Sequence, residues 1–74
     1  MLEKIIEILS EFTLVDKSAI TRDSGLINDL ELSSLDVINL VVAFEDEFGI
    51  EIPDSNIKEL VTVGDIEEYL ERNM

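Results

Sequence analysis

The stretch Asp29-Leu30-Glu31-Leu32-Ser33-Ser34-Leu35-Asp36 joins an irregular segment to the chain's longest apolar-rich run, Val37-Ile38-Asn39-Leu40-Val41-Val42-Ala43-Phe44. Ser33, followed three residues later by Asp36, has the form of a capping box with Asp in the usual Glu or Gln place. Ser33 is therefore the predicted N-cap of a helix over about residues 34 to 48, closed by Gly49. At about 100° per residue, Val37, Leu40, Val41, Phe44 and Phe48 share one broad face, the expected core stripe. Leu35, Ile38 and Val42 fall on a second face. A helix apolar on two sides is either wrapped and buried all round, or packed on one side with an apolar strip left over on the other.

Ser34 would lie in the first helical turn, where Ser is an indifferent helix former and its hydroxyl is not needed for the cap. That hydroxyl is expected to face water. A phosphate esterified there would lie beside unpaired backbone N–H groups and the positive end of the helix dipole, so the position suits a phosphodiester. Serine pairs are also common at helix starts, and a doubled-serine cap with no further role fits the same residues. The second stripe adjoins Ser34 and is bordered by Asp36, Glu45 and Asp46. If left exposed, it is a docking surface for a protein with an apolar pocket and a basic rim.

The remaining segments read as supports for that helix. Leu2, Ile5, Ile6, Leu9 and Phe12 recur at helical spacing and predict a first amphipathic helix over about residues 2 to 13, with Glu3, Glu7 and Glu11 on a solvated side. From Leu14 to Leu32 the pattern breaks up between turn signals. A short helical turn is expected near residues 16 to 20, with Leu26, Ile27 and Leu30 pinned to the core so that the loop delivers Ser34 to one end of the bundle. Ile50-Glu51-Ile52 alternates like a strand but has no partner strand. After Pro53, Asp54 or Ser55 is expected to cap a short third helix containing Ile57 and Leu60. Thr62 and Asp65 start a fourth helix whose inward stripe is Ile66, Tyr69 and Leu70, with the Tyr69 hydroxyl reaching water. The prediction is an all-α single domain over residues 1–74, a small four-helix bundle with a long first loop and a short third helix.

Composition removes most chemistries. With no His and no Cys, neither a hydrolytic triad, a His-based acid and base, a disulfide nor a thiolate metal site can be built. A calcium loop starting at Asp29 fails, because its sixth position is Ser34 rather than Gly and its twelfth is Leu40 rather than Glu. No metal site is expected. Carboxylate pairs are numerous, but a small bundle offers them little cleft, so no enzyme is expected either. Eighteen acidic residues against five basic give a net charge of −13, which disfavours nucleic acid and anionic membranes and favours basic protein surfaces. No run is long and uncharged enough to cross a bilayer, and Met1-Leu2-Glu3-Lys4 lacks the pattern of a secretory signal. The expectation is a cytoplasmic monomer.

Three blocks taken together carry a resemblance. Asp29 to Asp36, then Phe44-Glu45-Asp46-Glu47-Phe48-Gly49-Ile50-Glu51-Ile52-Pro53, then Thr62-Val63-Gly64-Asp65 resemble an acyl carrier protein over nearly the whole chain. The resemblance implies that Ser34 receives 4′-phosphopantetheine from coenzyme A through a phosphopantetheinyl transferase. The terminal thiol of that arm would hold acyl groups as thioesters, which explains how a chain without Cys carries activated acids. It also implies docking of acyl-transferring, synthase or ligase enzymes with basic patches, through the helix that begins at Ser34. Leu35, Asp36, Ile38, Val42, Glu45 and Asp46 are the residues assigned to that contact, and an acyl chain between the helices is compatible with the many Val, Ile and Leu residues. Two positions depart from the family pattern: Ser33 stands where Asp is usual and Asn39 where Glu is common. Both changes remove a charge from the docking helix, which puts the substrate in question rather than the carrier role. Fatty acid synthesis leads, a polyketide, peptidyl or other dedicated carrier follows, and an unmodified acidic interaction module of the same fold is the alternative from a different class.

Overall fold

Phe44 exposes no surface at all, and the fold is assembled around it. In the computed structural model, which describes residues 1–73, Phe44 lies on α2 (Ser34–Phe48) with Val37, Leu40 and Val41 buried beside it. Phe48 is only partly buried, its ring stacked on Phe44 with centroids 6.2 Å apart. The first stripe is thus the core stripe. Helix α1 (Leu2–Leu9) packs against α2 and against α4 (Val63–Arg72), contributing Ile5, Ile8 and Leu9, while α4 contributes Val63, Ile66, Tyr69 and Leu70. A short α3 (Asp54–Ile57) and a single 3-10 turn at Lys17–Ala19 complete an all-α arrangement.

Four expectations need correction. Helix α1 stops at Leu9 rather than near residue 13: the Ser10 hydroxyl donates back to the Glu7 carbonyl, and the next N–H groups, of Glu11 and Phe12, bond three residues back. The N-cap of α3 is Pro53, not Asp54 or Ser55, and it makes no side-chain cap bond. Proline already holds the φ that this junction requires, here −60°. Leu60 is buried but lies beyond the end of α3. Ile27 is not in the core: it is 58% exposed. The N–H groups of Asp29 and Leu30 both donate to the Gly25 carbonyl, coiling residues 26–29 into one turn. Leu26 and Leu30, four apart, therefore face inward together while Ile27 is rotated away.

The alternation at Ile50-Glu51-Ile52 is used without a sheet. Ile52 is buried and Glu51 exposed, so an extended segment suffices. The Tyr69 hydroxyl accepts from the Asn56 side chain at 3.2 Å, which ties α3 to α4.

The long first loop is held by contacts that no sequence pattern announces. Gly25 and Thr62 form an isolated antiparallel bridge, with Leu26 N–H on the Val61 carbonyl at 2.9 Å and Val63 N–H on the Ser24 carbonyl at 3.0 Å. Gly64 N–H donates to the Arg22 carbonyl at 2.8 Å, and the Arg22 guanidinium pairs with Glu67 on α4. A side-chain carbon at Gly64 would lie 3.1 Å from that Arg22 carbonyl oxygen, so the approach depends on glycine. The loop is thereby clamped to the start of α4.

Candidate functional site

The clamp continues to the doorstep of α2. The Asp29 carboxylate accepts from Gly25 N–H at 2.6 Å, Leu32 N–H donates to the Leu26 carbonyl at 3.1 Å, and the Thr13 hydroxyl donates to the Leu30 carbonyl at 2.9 Å. Leu30 and Leu32 are buried, and Glu31 between them takes a left-handed backbone with φ of 56°. Ser33 then caps α2 as its sequence predicts: its hydroxyl oxygen accepts from Asp36 N–H at 3.1 Å, and the Asp36 carboxylate accepts from Ser33 N–H at 3.0 Å. The box is closed by Ser33 and Asp36 alone. Ser34, the first residue inside the helix, is exposed and stands outside the cap.

Beside Ser34 lies an open groove of about 810 Å³. Leu26, Val37, Ile38, Ile57 and Leu60 supply apolar wall, Ile27 and Val61 its exposed margins, and Asn28, Asp54 and Lys58 the polar positions. Sequence reasoning missed this groove because it placed Ile27 in the core and drew nothing from Val61. A residue just before a helix N-cap commonly packs against the fourth residue of the helix, yet Val61 is 57% exposed. The bridge carbonyl of Val61 holds its backbone against the first loop, and the side chain borders the groove instead.

The second stripe of α2 is uncovered. Leu35, Ile38 and Val42 are 66%, 50% and 51% exposed, forming an apolar strip that runs from Ser34 along the helix. Its acidic neighbours differ in what they already hold. Asp36 is half-buried and engaged in the capping box, and Glu45 is half-buried with one carboxylate oxygen accepting from Ile52 N–H at 2.7 Å. Asp46 is exposed. Among the described residues no helix is long and apolar enough to cross a membrane.

A small helical domain that presents a serine at a helix start, beside an apolar groove and an apolar strip with acidic neighbours, is built as a carrier or docking module. The family described as Phosphopantetheine attachment site matches residues 3–70. The chain is 42% identical over 71 residues to a protein named Acyl carrier protein from Thermotoga maritima, covering 96% of this chain and 88% of that one. It is 40% identical over 73 residues to the Acyl carrier protein of Helicobacter acinonychis and 38% to that of Helicobacter pylori strain G27, covering 99% of this chain and 94% of each relative. The chain belongs to the acyl carrier protein family, phosphopantetheine-bearing carriers that are not themselves catalysts.

The family's covalently attached 4′-phosphopantetheine supplies a terminal thiol on which acyl groups are held as thioesters. The residues of this chain fit such a group. The Ser34 hydroxyl is exposed and spared from capping, so a phosphodiester on it displaces no structural bond of the box. Backbone N–H groups of the first α2 turn, which have no partner within the helix, lie where its charge would be. The adjacent groove offers apolar wall to a chain that folds back from the serine. The sequence holds no His, so a phosphodiester formed at this serine would need its hydroxyl activated by a group other than an imidazole of this chain.

Proposed function

We propose that Ser34 is the attachment point of 4′-phosphopantetheine, and that the protein carries acyl intermediates from enzyme to enzyme in fatty acid synthesis, as a cytoplasmic monomer. The observation that carries the assignment is the division of labour within the serine pair. Ser33 closes the capping box, whereas Ser34 is exposed, first in α2 and on the rim of the groove. Partner enzymes dock on the strip Leu35, Ile38 and Val42, steered by Asp36, Glu45 and Asp46 toward a basic rim. The strip's exposure and the net charge of −13 support this reading.

A dedicated polyketide, peptidyl or other specialised carrier is the second reading, favoured by Ser33 and Asn39. Both are uncharged and exposed on or beside the docking helix. Partners that read charge there would meet a different surface.

The test is intact-protein mass after incubation with coenzyme A and a broad-specificity phosphopantetheinyl transferase. The natural chain and Ser33→Ala are expected to gain one phosphopantetheine and Ser34→Ala none. Gain by Ser34→Ala would move the attachment point. No gain by any chain, with all three folded, would favour the unmodified interaction module.

A further inference from the structure

Lys58 is the only basic side chain among the residues lining the Ser34 groove. Since the chain holds 18 acidic residues against 5 basic, its cations have a surplus of possible partners, and Lys4 and Arg22 take theirs in Glu47 and Glu67. Among the described residues Lys58 forms no such pair. Asp54, four residues earlier and on the same groove, does not close on it either. Lys17 and Arg72 are also outside those pairs, but neither lines this groove. The rest of the lining is mainly apolar, with Leu26, Val37, Ile38 and Leu60 in it.

An attachment serine, an apolar wall and an unpaired ammonium group in one groove match one chemistry of cargo, a group apolar along its length and anionic at its end. We infer that the groove favours acyl groups bearing a terminal carboxylate, the half-thioesters of dicarboxylic acids, with Lys58 as the specificity-determining residue. The inference rests on Ser34 as the attachment point. The phosphodiester at Ser34 makes a smaller demand on the ammonium, because the start of α2 already offers it N–H groups and the dipole. A carboxylate elsewhere in the groove has Lys58 alone among the basic lining residues. Lys58 is exposed in this open groove, so such a pair has the modest strength of a surface ion pair and is weakened by salt. Asp54 opposes it. Removing that charge should sharpen the preference.

The experiment loads the natural chain, Lys58→Gln and Asp54→Asn with three amide-linked, hydrolysis-resistant arms: bare pantetheine, a six-carbon neutral acyl group, and its six-carbon carboxylated counterpart. Loading is checked by mass, then each form is melted at low salt and the Lys58 side-chain resonances are followed by NMR. The melting difference between carboxylated and neutral cargo is expected to fall by about 2–4 °C on Lys58→Gln and to grow on Asp54→Asn. The Lys58 resonances are expected to move with the carboxylated cargo only. An unchanged difference in Lys58→Gln, in chains that did load, overturns the inference and leaves the attachment site standing. A Lys58→Gln effect as large with the bare arm as with carboxylated cargo makes the phosphodiester the partner and also overturns it. Failure to load at Ser34 overturns the attachment reading and this inference together.

Discussion

The Glu45 carboxylate accepts a hydrogen bond from the backbone N–H of Ile52 at 2.7 Å, tying the last part of α2 to the extended segment that enters α3. A residue that sequence assigns to a docking border is therefore also a support for the fold. Replacing Glu45 with Ala leaves a part-buried N–H without its acceptor and is expected to cost about 1–2 kcal/mol, or roughly 4–16 °C in melting temperature. Gln keeps an acceptor there and should cost less. Thermal denaturation of the pair checks it; equal melting temperatures for Ala and the natural residue would remove the structural role.

The serine pair should separate stability from modification. Ser33→Ala loses the side-chain oxygen that accepts from Asp36 N–H and is expected to destabilise by about 1 kcal/mol while still accepting the arm. Ser34→Ala should melt within about 0.5 kcal/mol of the natural chain yet accept nothing. Urea titrations alongside intact mass give both readouts, and a destabilised Ser34→Ala would show that its hydroxyl has a structural duty.

Among the described residues two hold a left-handed backbone, Glu31 at φ 56° and Gly49 at φ 65°. A side-chain carbon at Gly49 meets nothing within 4 Å, so Gly49→Ala isolates the backbone cost, expected to be about 1 kcal/mol. Glu31→Gly runs the same argument in reverse and should stabilise by up to about 1 kcal/mol. Denaturation midpoints with unchanged slopes would verify both, and opposite signs would discard the argument.

Docking is best probed where the fold is least involved. Asp36→Lys reverses a charge but also removes the acceptor of Ser33 N–H, so it confounds steering with capping. Ile38→Lys and Asp46→Lys change exposed side chains and should leave the melting temperature nearly unchanged. Both are expected to slow transfer of the arm, Ile38→Lys by losing an apolar contact and Asp46→Lys by reversing a steering charge. Unchanged transfer rates for both would assign docking to another face.

Salt should stabilise the chain. With a net charge of −13 the folded state concentrates like charges, and raising ionic strength from about 0.01 to 0.15 M shortens the screening length from roughly 30 to 8 Å. Melting temperature is expected to rise over that range. A flat or falling response would mean that local pairs such as Lys4–Glu47 and Arg22–Glu67 outweigh the general repulsion.

Local rules in the sequence determined α2 and α4. Ser33 with Asp36 and Thr62 with Asp65 are short-range hydrogen-bonding patterns, Gly49 supplies the left-handed stop, and the spacing of Val37, Leu40, Val41 and Phe44 marks the buried face. The same rules set Ser34 outside the cap. What they could not decide was which of two apolar stripes stays uncovered, where Ile27 and Val61 go, and which charges remain free. Those outcomes depend on contacts between residues far apart in the chain: the Gly25–Thr62 bridge, Gly64 on the Arg22 carbonyl, and Glu45 on Ile52 N–H. Periodicity reports the environment along one helix, whereas a groove between the first loop, α2 and α3 exists only once the loop is clamped to the start of α4. The sequence by itself therefore determined the helix, its cap and the free serine, and the tertiary structure alone decided the groove beside it.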